Sequence, residues 1–131
     1  MNGSKGYFVL ASAFGLTGVG LGAFGAHALK PGMSSEMFSV FETGVRYQMY
    51  HTFALFVASW ALGATGNKWF LIAARFVCAG IILFCGSLYL LSTTTLVGFG
   101  YVTPVGGLFF LAGWASLAFG FWKDKTGSMN R

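Results

Sequence analysis

At 131 residues the chain has room for one domain. It is 56% hydrophobic, 18% aromatic and only 8% charged, so it lacks the polar surface of a soluble domain, which carries about 25% charged residues. The formal net charge of +5 comes from 8 Lys and Arg against 3 Asp and Glu, placed singly between apolar blocks. That pattern excludes a phosphate-binding patch, so no nucleic-acid partner is expected. Residues 1–131 are expected to form one integral membrane domain with the lipid bilayer as solvent.

The charges divide the chain. Residues 6–29, 47–67 and 76–122 carry no Asp, Glu, Lys or Arg, and the last stretch is long enough for two spans. A spanning helix needs roughly 20 apolar residues. The expected fold is therefore all-α, a four-transmembrane-helix bundle with spans at 6–28, 47–64, 69–91 and 104–122.

The first span contains Gly20-x-Gly22-x-x-Gly25, the letters of a dinucleotide-binding fingerprint. That fingerprint follows a strand and opens a helix inside a βαβ unit, which nothing here resembles. The four-residue spacing of Gly18, Gly22 and Ala26 instead predicts a close-packed helix face, and Ala112, Ser116 and Gly120 repeat it in the fourth span. Lys5, the apolar run and Ala26-His27-Ala28 also resemble a signal peptide with its cleavage site. The run is longer and richer in glycine than a usual signal core, so a retained span is expected.

Lys30-Pro31-Gly32 stops the first helix. Residues 34–46 then read as a short amphipathic interfacial helix between the first and second spans. Ser34 or Ser35 can cap it, Glu36 suits its positive end, and Met37, Phe38, Phe41 and Val45 recur at helical spacing. Glu42 and Arg46 stand four apart and can pair. Residues 63–68 form a tight turn, and residues 92–100 break the long uncharged run. Thr103-Pro104 reads as an N-cap followed by proline at the first helical position.

With four spans, Lys5, Lys68, Lys123, Lys125 and Arg131 share one side, with Arg75 just inside the third span; Lys30 and Arg46 lie on the other. The positive-inside rule then puts both termini in the cytoplasm. Arg75 lies about 9 Å into its span and can snorkel back to the interface. Cys78 and Cys85, about 10 Å apart on one helix, are too distant for a disulfide and read as packing residues.

Polar residues concentrate near the outer face. His27 ends the first span, and His51 lies about one turn inside the second, with Glu42, Arg46, Tyr47, Gln48 and Tyr50 nearby in sequence. Polar groups at membrane depth are costly and are functional candidates. A connected site of His27, Arg46 and His51 is expected there. Three readings are open: a structural network, a binding site or proton relay for a small molecule, and paired histidine ligation of haem or a metal. Two histidines without a CxxCH motif or a carboxylate cluster are weak grounds for ligation, so no metal or cofactor is expected. No span holds a carboxylate, and no Ser-His-Asp set, zinc motif or P-loop is present.

The blocks GAFGAHAL, FETGVRYQMYHTFAL, LFCGSLYLLS and TPVGGLFFLAGW, in this order, resemble the YgdD/YwdK family, domain of unknown function 423. The resemblance implies a small multi-pass protein of the bacterial inner membrane, with eukaryotic relatives and no established activity. It singles out Gly22, Gly25, His27, Tyr47, Gln48, His51, Pro104, Gly106 and Gly107. The functional expectation is a non-enzymatic protein that binds a partner, lipid or small apolar molecule at the outer-leaflet polar site. A homo-oligomer or a membrane-protein partner fits it. A small oligomeric transporter or channel stands second, and a haem-binding redox subunit third.

Overall fold

The computed structural model describes residues 2–124; Lys125 and Arg131 lie outside them. No strand occurs among the described residues. Helix α1 (Asn2–Phe24) runs on through a π-helical turn (Gly25–Leu29) and a 3-10 turn (Lys30–Gly32), and α2 is Ser35–Thr65. Helix α3 (Lys68–Gly80) passes through a second π-helical turn (Ile81–Cys85) into α4 (Gly86–Thr93). A 3-10 turn (Val97–Tyr101) leads into α5 (Val102–Lys123). The result is a bundle of four rods: α1, α2, α3–α4 and α5.

Local chemistry sets the ends. Ser34 caps α2, its Oγ accepting from the Met37 amide at 3.2 Å. At the other end of α2, Gly66 takes the left-handed conformation (φ 67°) and its N–H bonds Leu62 O. Asn67 then caps α3, its Oδ1 accepting from the Trp69 amide at 3.1 Å. Thr103 is not the cap expected of it. Helix α5 starts one residue earlier, and the Thr103 hydroxyl lies 2.6 Å from Ser87 Oγ. The hydroxyl also donates to Phe99 O at 3.4 Å, so it joins its own helix to α4 and caps nothing.

Three runs, Gly3–Gly32, Lys68–Thr93 and Val97–Lys123, are long and apolar enough to cross a membrane. Helix α2 has 31 residues and buries the polar side chains Gln48, His51, Thr52 and Ser59. At 1.5 Å per residue it is about 46 Å long, against about 30 Å of hydrocarbon. Residues 35–46, the expected amphipathic segment, are therefore its first three turns, continuous with the second span.

Helix α1 packs chiefly on α2, α2 also packs on α3 and α4, and α3 packs on α5. The hydrophobic core lies between α2 and α3, with Leu55, Ala58, Phe70, Ala74 and Val77 buried. One end of the bundle gathers the start of α1, the 65–68 turn and the end of α5: Ser4 faces Gly63, and Asn67 Nδ2 donates to Gly120 O at 3.4 Å. The opposite end gathers Leu29, Met33 and Met37 beside Ser92 and Thr93.

Both close helix seams depend on glycine, with a period that corrects the expected one. On α1 the residues facing α2 are Gly15 (Thr52), Gly18 (Met49), Gly22 (Val45) and Gly25 (Phe41). Steps of three and four alternate, the 3.5-residue repeat of antiparallel left-handed packing. A strict step of four drifts off that seam, so Ala26 is exposed and Gly25 takes the close contact. On α5 the seam residues are Gly106, Gly113 and Gly120, seven apart, facing Phe84, Val77 and Phe70. Ser116 is buried between them with its hydroxyl on Ala112 O at 2.7 Å, whereas Ala112 lines a surface groove.

Gly20 has nothing within 4 Å of a built Cβ and lies mid-helix. The fingerprint letters therefore form no nucleotide-binding turn. Cys78 and Cys85 are free thiols.

Candidate functional site

The polar residues of α2 divide into an inward-facing set and an outward-facing set. Gln48 is 3% exposed and joins three rods. Its Nε2 donates to Phe14 O at 2.8 Å and Thr17 Oγ1 at 2.9 Å on α1, and its Oε1 accepts from Tyr89 Oη on α4 at 2.6 Å. The geometry fixes the orientation of the amide, because the Phe14 carbonyl can only accept and must face the NH2 group.

The second π-helical turn supports this arrangement. Its Gly86 N–H bonds Ile81 O, five residues back, so the turn holds one more residue than an α-helical one. The stripe that follows is rotated, and α4 packs chiefly on α2 instead of α5. Tyr89 thereby lies against Gly44, where a Cβ would come within 2.8 Å of its ring, and its ring packs on Phe41 at 5.3 Å.

His51 is buried one turn deeper. Trp114 Nε1 donates to His51 Nε2 at 3.0 Å, and His51 Nδ1 lies 2.6 Å from Tyr47 O. An indole N–H is a donor only, so Nε2 must accept and Nδ1 must carry the proton that Tyr47 O receives. The ring is therefore neutral in the Nδ1–H form, and both nitrogens are committed to protein partners. It stacks on Phe110 at 3.5 Å between ring centres, 13° from parallel. Phe110 in turn fits against Gly80, where a Cβ would come within 2.6 Å of Phe110 Cε1, and Tyr47 and Phe84 pack at 4.7 Å beside it. A histidine thus couples α2 to α5, and a glycine couples α5 to α3.

The outward-facing residues are placed differently. His27, in the first π-helical turn, is exposed and hydrogen-bonds none of the described residues. Glu42 and Arg46 are exposed and do not form the expected ion pair; Arg46 donates to Thr43 Oγ1 at 3.2 Å instead. No hydrogen bond or ion pair links His27, Glu42 or Arg46 to Gln48 or His51, so the expected single site of His27, Arg46 and His51 is not formed. Glu42 and Arg46 border a groove of about 200 Å³ with Gly22, Phe38, Phe41 and Val45. Tyr50 is 57% exposed, and its ring lies 5.9 Å from that of Tyr47.

No buried side-chain nitrogen or oxygen among the described residues lacks a hydrogen-bond partner. The inner set is a closed knot and offers no polar atom to a ligand without breaking a bond. Beside it, between α2 and α5, a groove of about 370 Å³ opens sideways, lined by Tyr50, Phe53, Val57, Trp114, Ala118 and Phe121. Trp114 forms its wall, fixed in orientation by His51.

Trp114, Tyr89 and Thr17 were not singled out from the sequence. A signal for each was present, since each is a hydrogen-bonding side chain inside an apolar run and must find a partner there. Their pairing with Gln48 and His51 depends on the register between rods.

No solved structure matches the chain. A family model described as protein of unknown function (DUF423) matches residues 21–107. The chain is 39% identical over 117 residues to the UPF0382 inner membrane protein YgdD of Escherichia coli K12, which covers 89% of each. It is 41% identical over 111 residues to the UPF0382 membrane protein YwdK of Bacillus subtilis, covering 84% of this chain and 90% of the relative. A UPF0382 membrane protein of Haemophilus influenzae is 40% identical over 121 residues, 92% of this chain and 96% of the relative. Apolar helices of spanning length, a lipid-type composition and these matches together identify the chain as a multi-pass membrane protein, and it belongs to the DUF423 family.

Proposed function

We propose that this is a non-enzymatic membrane protein that holds one hydrocarbon chain, acyl or prenyl, in the lateral groove between α2 and α5. The observation that carries the reading is the Trp114 wall. Its indole N–H is bonded to buried His51 at 3.0 Å, while the residue is 49% exposed and lines the groove. An aromatic wall locked by a buried hydrogen bond is a preorganised apolar surface, which lowers the ordering cost of binding. The groove opens among helices dissolved in lipid, so its occupant comes from the membrane. Tyr50 places a hydroxyl-bearing ring on the rim, where a chain's polar end could be met. The reading calls on no cofactor, since both His51 nitrogens are already bonded. It also competes well with a solute pathway, which needs unsatisfied polar groups along a route.

Filling the groove at exposed Ala118 tests the reading. Protein purified in mild detergent should carry a chain-bearing molecule identifiable by mass spectrometry, and Ala118→Phe should lose it while melting unchanged. Retention of the same molecule by Ala118→Phe would sink the idea.

The proposed orientation has both termini in the cytoplasm. Lys5, Lys68 and Lys123 belong to the end where Ser4 meets Gly63 and Asn67 meets Gly120, and Lys30 and Arg46 lie toward the other. Reporter fusions at both termini and at Gly32 check it; a cytoplasmic signal at Gly32 would reverse the assignment.

A further inference from the structure

We infer that the α3–α5 face carries a binding site for an anionic phospholipid, with Arg75 as its headgroup ligand. The site is separate from the α2–α5 groove and does not rest on that reading. Arg75 is exposed on the spanning run Lys68–Thr93, seven residues from its start, about 10 Å along the axis. Its side chain makes no hydrogen bond, ion pair or ring contact with any described residue. A guanidinium at that depth faces lipid, where an unpaired charge is costly, and it needs an anion or the interface. Long side chains on a helix lean toward its N-terminus, which here is the headgroup end. The guanidinium therefore points up toward the phosphate layer.

Two further features define a site around it. Arg75 lines a groove of about 390 Å³ together with Ile72, Phe76, Ala79 and Phe109. It continues into a second apolar groove formed by Phe76, Phe109, Val105 and Leu108. Lys68, Ile72, Arg75 and Ala79 recur at the three- and four-residue steps of one helix face, so exposed Lys68 stands above Arg75 on the same side. Along this face Lys68 stands nearest the helix start, Arg75 lies on the wall of the groove, and the apolar lining runs on past it through Phe76, Ala79 and Phe109. That order matches a phospholipid with net negative charge, its phosphate between Lys68 and Arg75 and one acyl chain against Phe76 and Phe109. A free phosphate would use the cations and leave the groove unused. Arginine also suits the phosphate end, because its planar fork can donate two parallel hydrogen bonds.

Native mass spectrometry of the full chain released from detergent, with equal phosphatidylglycerol and phosphatidylcholine added, tests the site. The expected result is retention of phosphatidylglycerol at least about fivefold over phosphatidylcholine, each basic residue supplying about that factor at an anionic lipid. Arg75→Gln should lower the preference about fivefold, and Arg75→Gln combined with Lys68→Gln should bring the two lipids to parity. Ala79→Phe should lower retention of both, and millimolar inorganic phosphate should displace neither. Arg75 and its neighbours bond nothing that would be lost, and an unchanged melting temperature of each variant controls for folding. Equal retention of the two lipids by the native chain, or a preference undiminished in Arg75→Gln, overturns the proposal. Displacement by inorganic phosphate overturns it as well, leaving a simple anion site.

Discussion

The α1–α2 seam and the α3–α5 seam are both antiparallel and both built on glycine, yet they are closed by different means. On α1–α2 the glycines meet side-chain atoms only, and the tight contact at Gly18 is with the end of a flexible chain: a Cβ there would come within 2.6 Å of Met49 Sδ, whereas one at Gly22 would stand 3.4 Å from Val45 Cγ1. The seam is then clasped by Gln48, which bonds the α1 backbone and Thr17. On α3–α5 a side-chain hydrogen bond occurs at the end of the seam, from Asn67 Nδ2 to Gly120 O at 3.4 Å, and along the seam Gly113 receives Val77 and Gly120 the Phe70 ring. Gly106 faces the backbone of Phe84, whose Cα would lie 2.7 Å from a new Cβ. Glycine in a membrane helix therefore marks a close approach without revealing how much the neighbour can yield. That depends on whether the opposing atom is a mobile thioether or a main chain.

The largest effect that separates the two seams is expected at Gly106. Gly106→Ala forces α5 away from the π-helical turn and should cost about 3 kcal/mol, read by unfolding in mixed micelles. A native-like transition would mean that the rods separate at little cost. Gln48→Leu comes next. It removes three hydrogen bonds and leaves Tyr89 Oη without its acceptor, while Thr17 Oγ1 keeps its bond to Ala13 O at 2.9 Å; the expected loss is about 2 kcal/mol in the same titration. Loss of more than Gly106→Ala would invert the ranking of polar clasp and steric seam.

His51→Phe keeps an aromatic ring against Phe110 and deletes the acceptor for Trp114, for about 1 kcal/mol of destabilisation. If Trp114 is the groove wall, the variant should also retain less of the co-purifying chain than the native protein; full retention would detach the histidine from the groove. The smallest effects belong to α1. Gly18→Ala should cost less than about 1 kcal/mol because Met49 can swing aside, and Gly20→Ala, with open space around it, should leave the midpoint unchanged. A Gly20→Ala variant that unfolds early would point to a contact beyond this single chain.

Much of the architecture was legible from the residues because it follows from local quantities. Hydropathy and the placement of eight basic residues separate lipid-facing from water-facing segments. Ser34, Gly66 and Asn67 act within three or four residues of themselves, so the two ends of α2 and the start of α3 follow from chain chemistry alone. Gln48 and His51 were found because a polar side chain at membrane depth is conspicuous wherever its partner lies. What only the tertiary structure decided is pairing. Whether α1 meets α2 through Ala26 or Gly25, and α5 meets α3 through Ala112 or Gly113, depends on a crossing angle and register that involve two helices at once. The same holds for His51: a histidine in an apolar run could ligate a metal, titrate or brace the bundle. It braces here because the α2–α5 register delivers the Trp114 N–H to Nε2, leaving Nδ1 to bond its own helix.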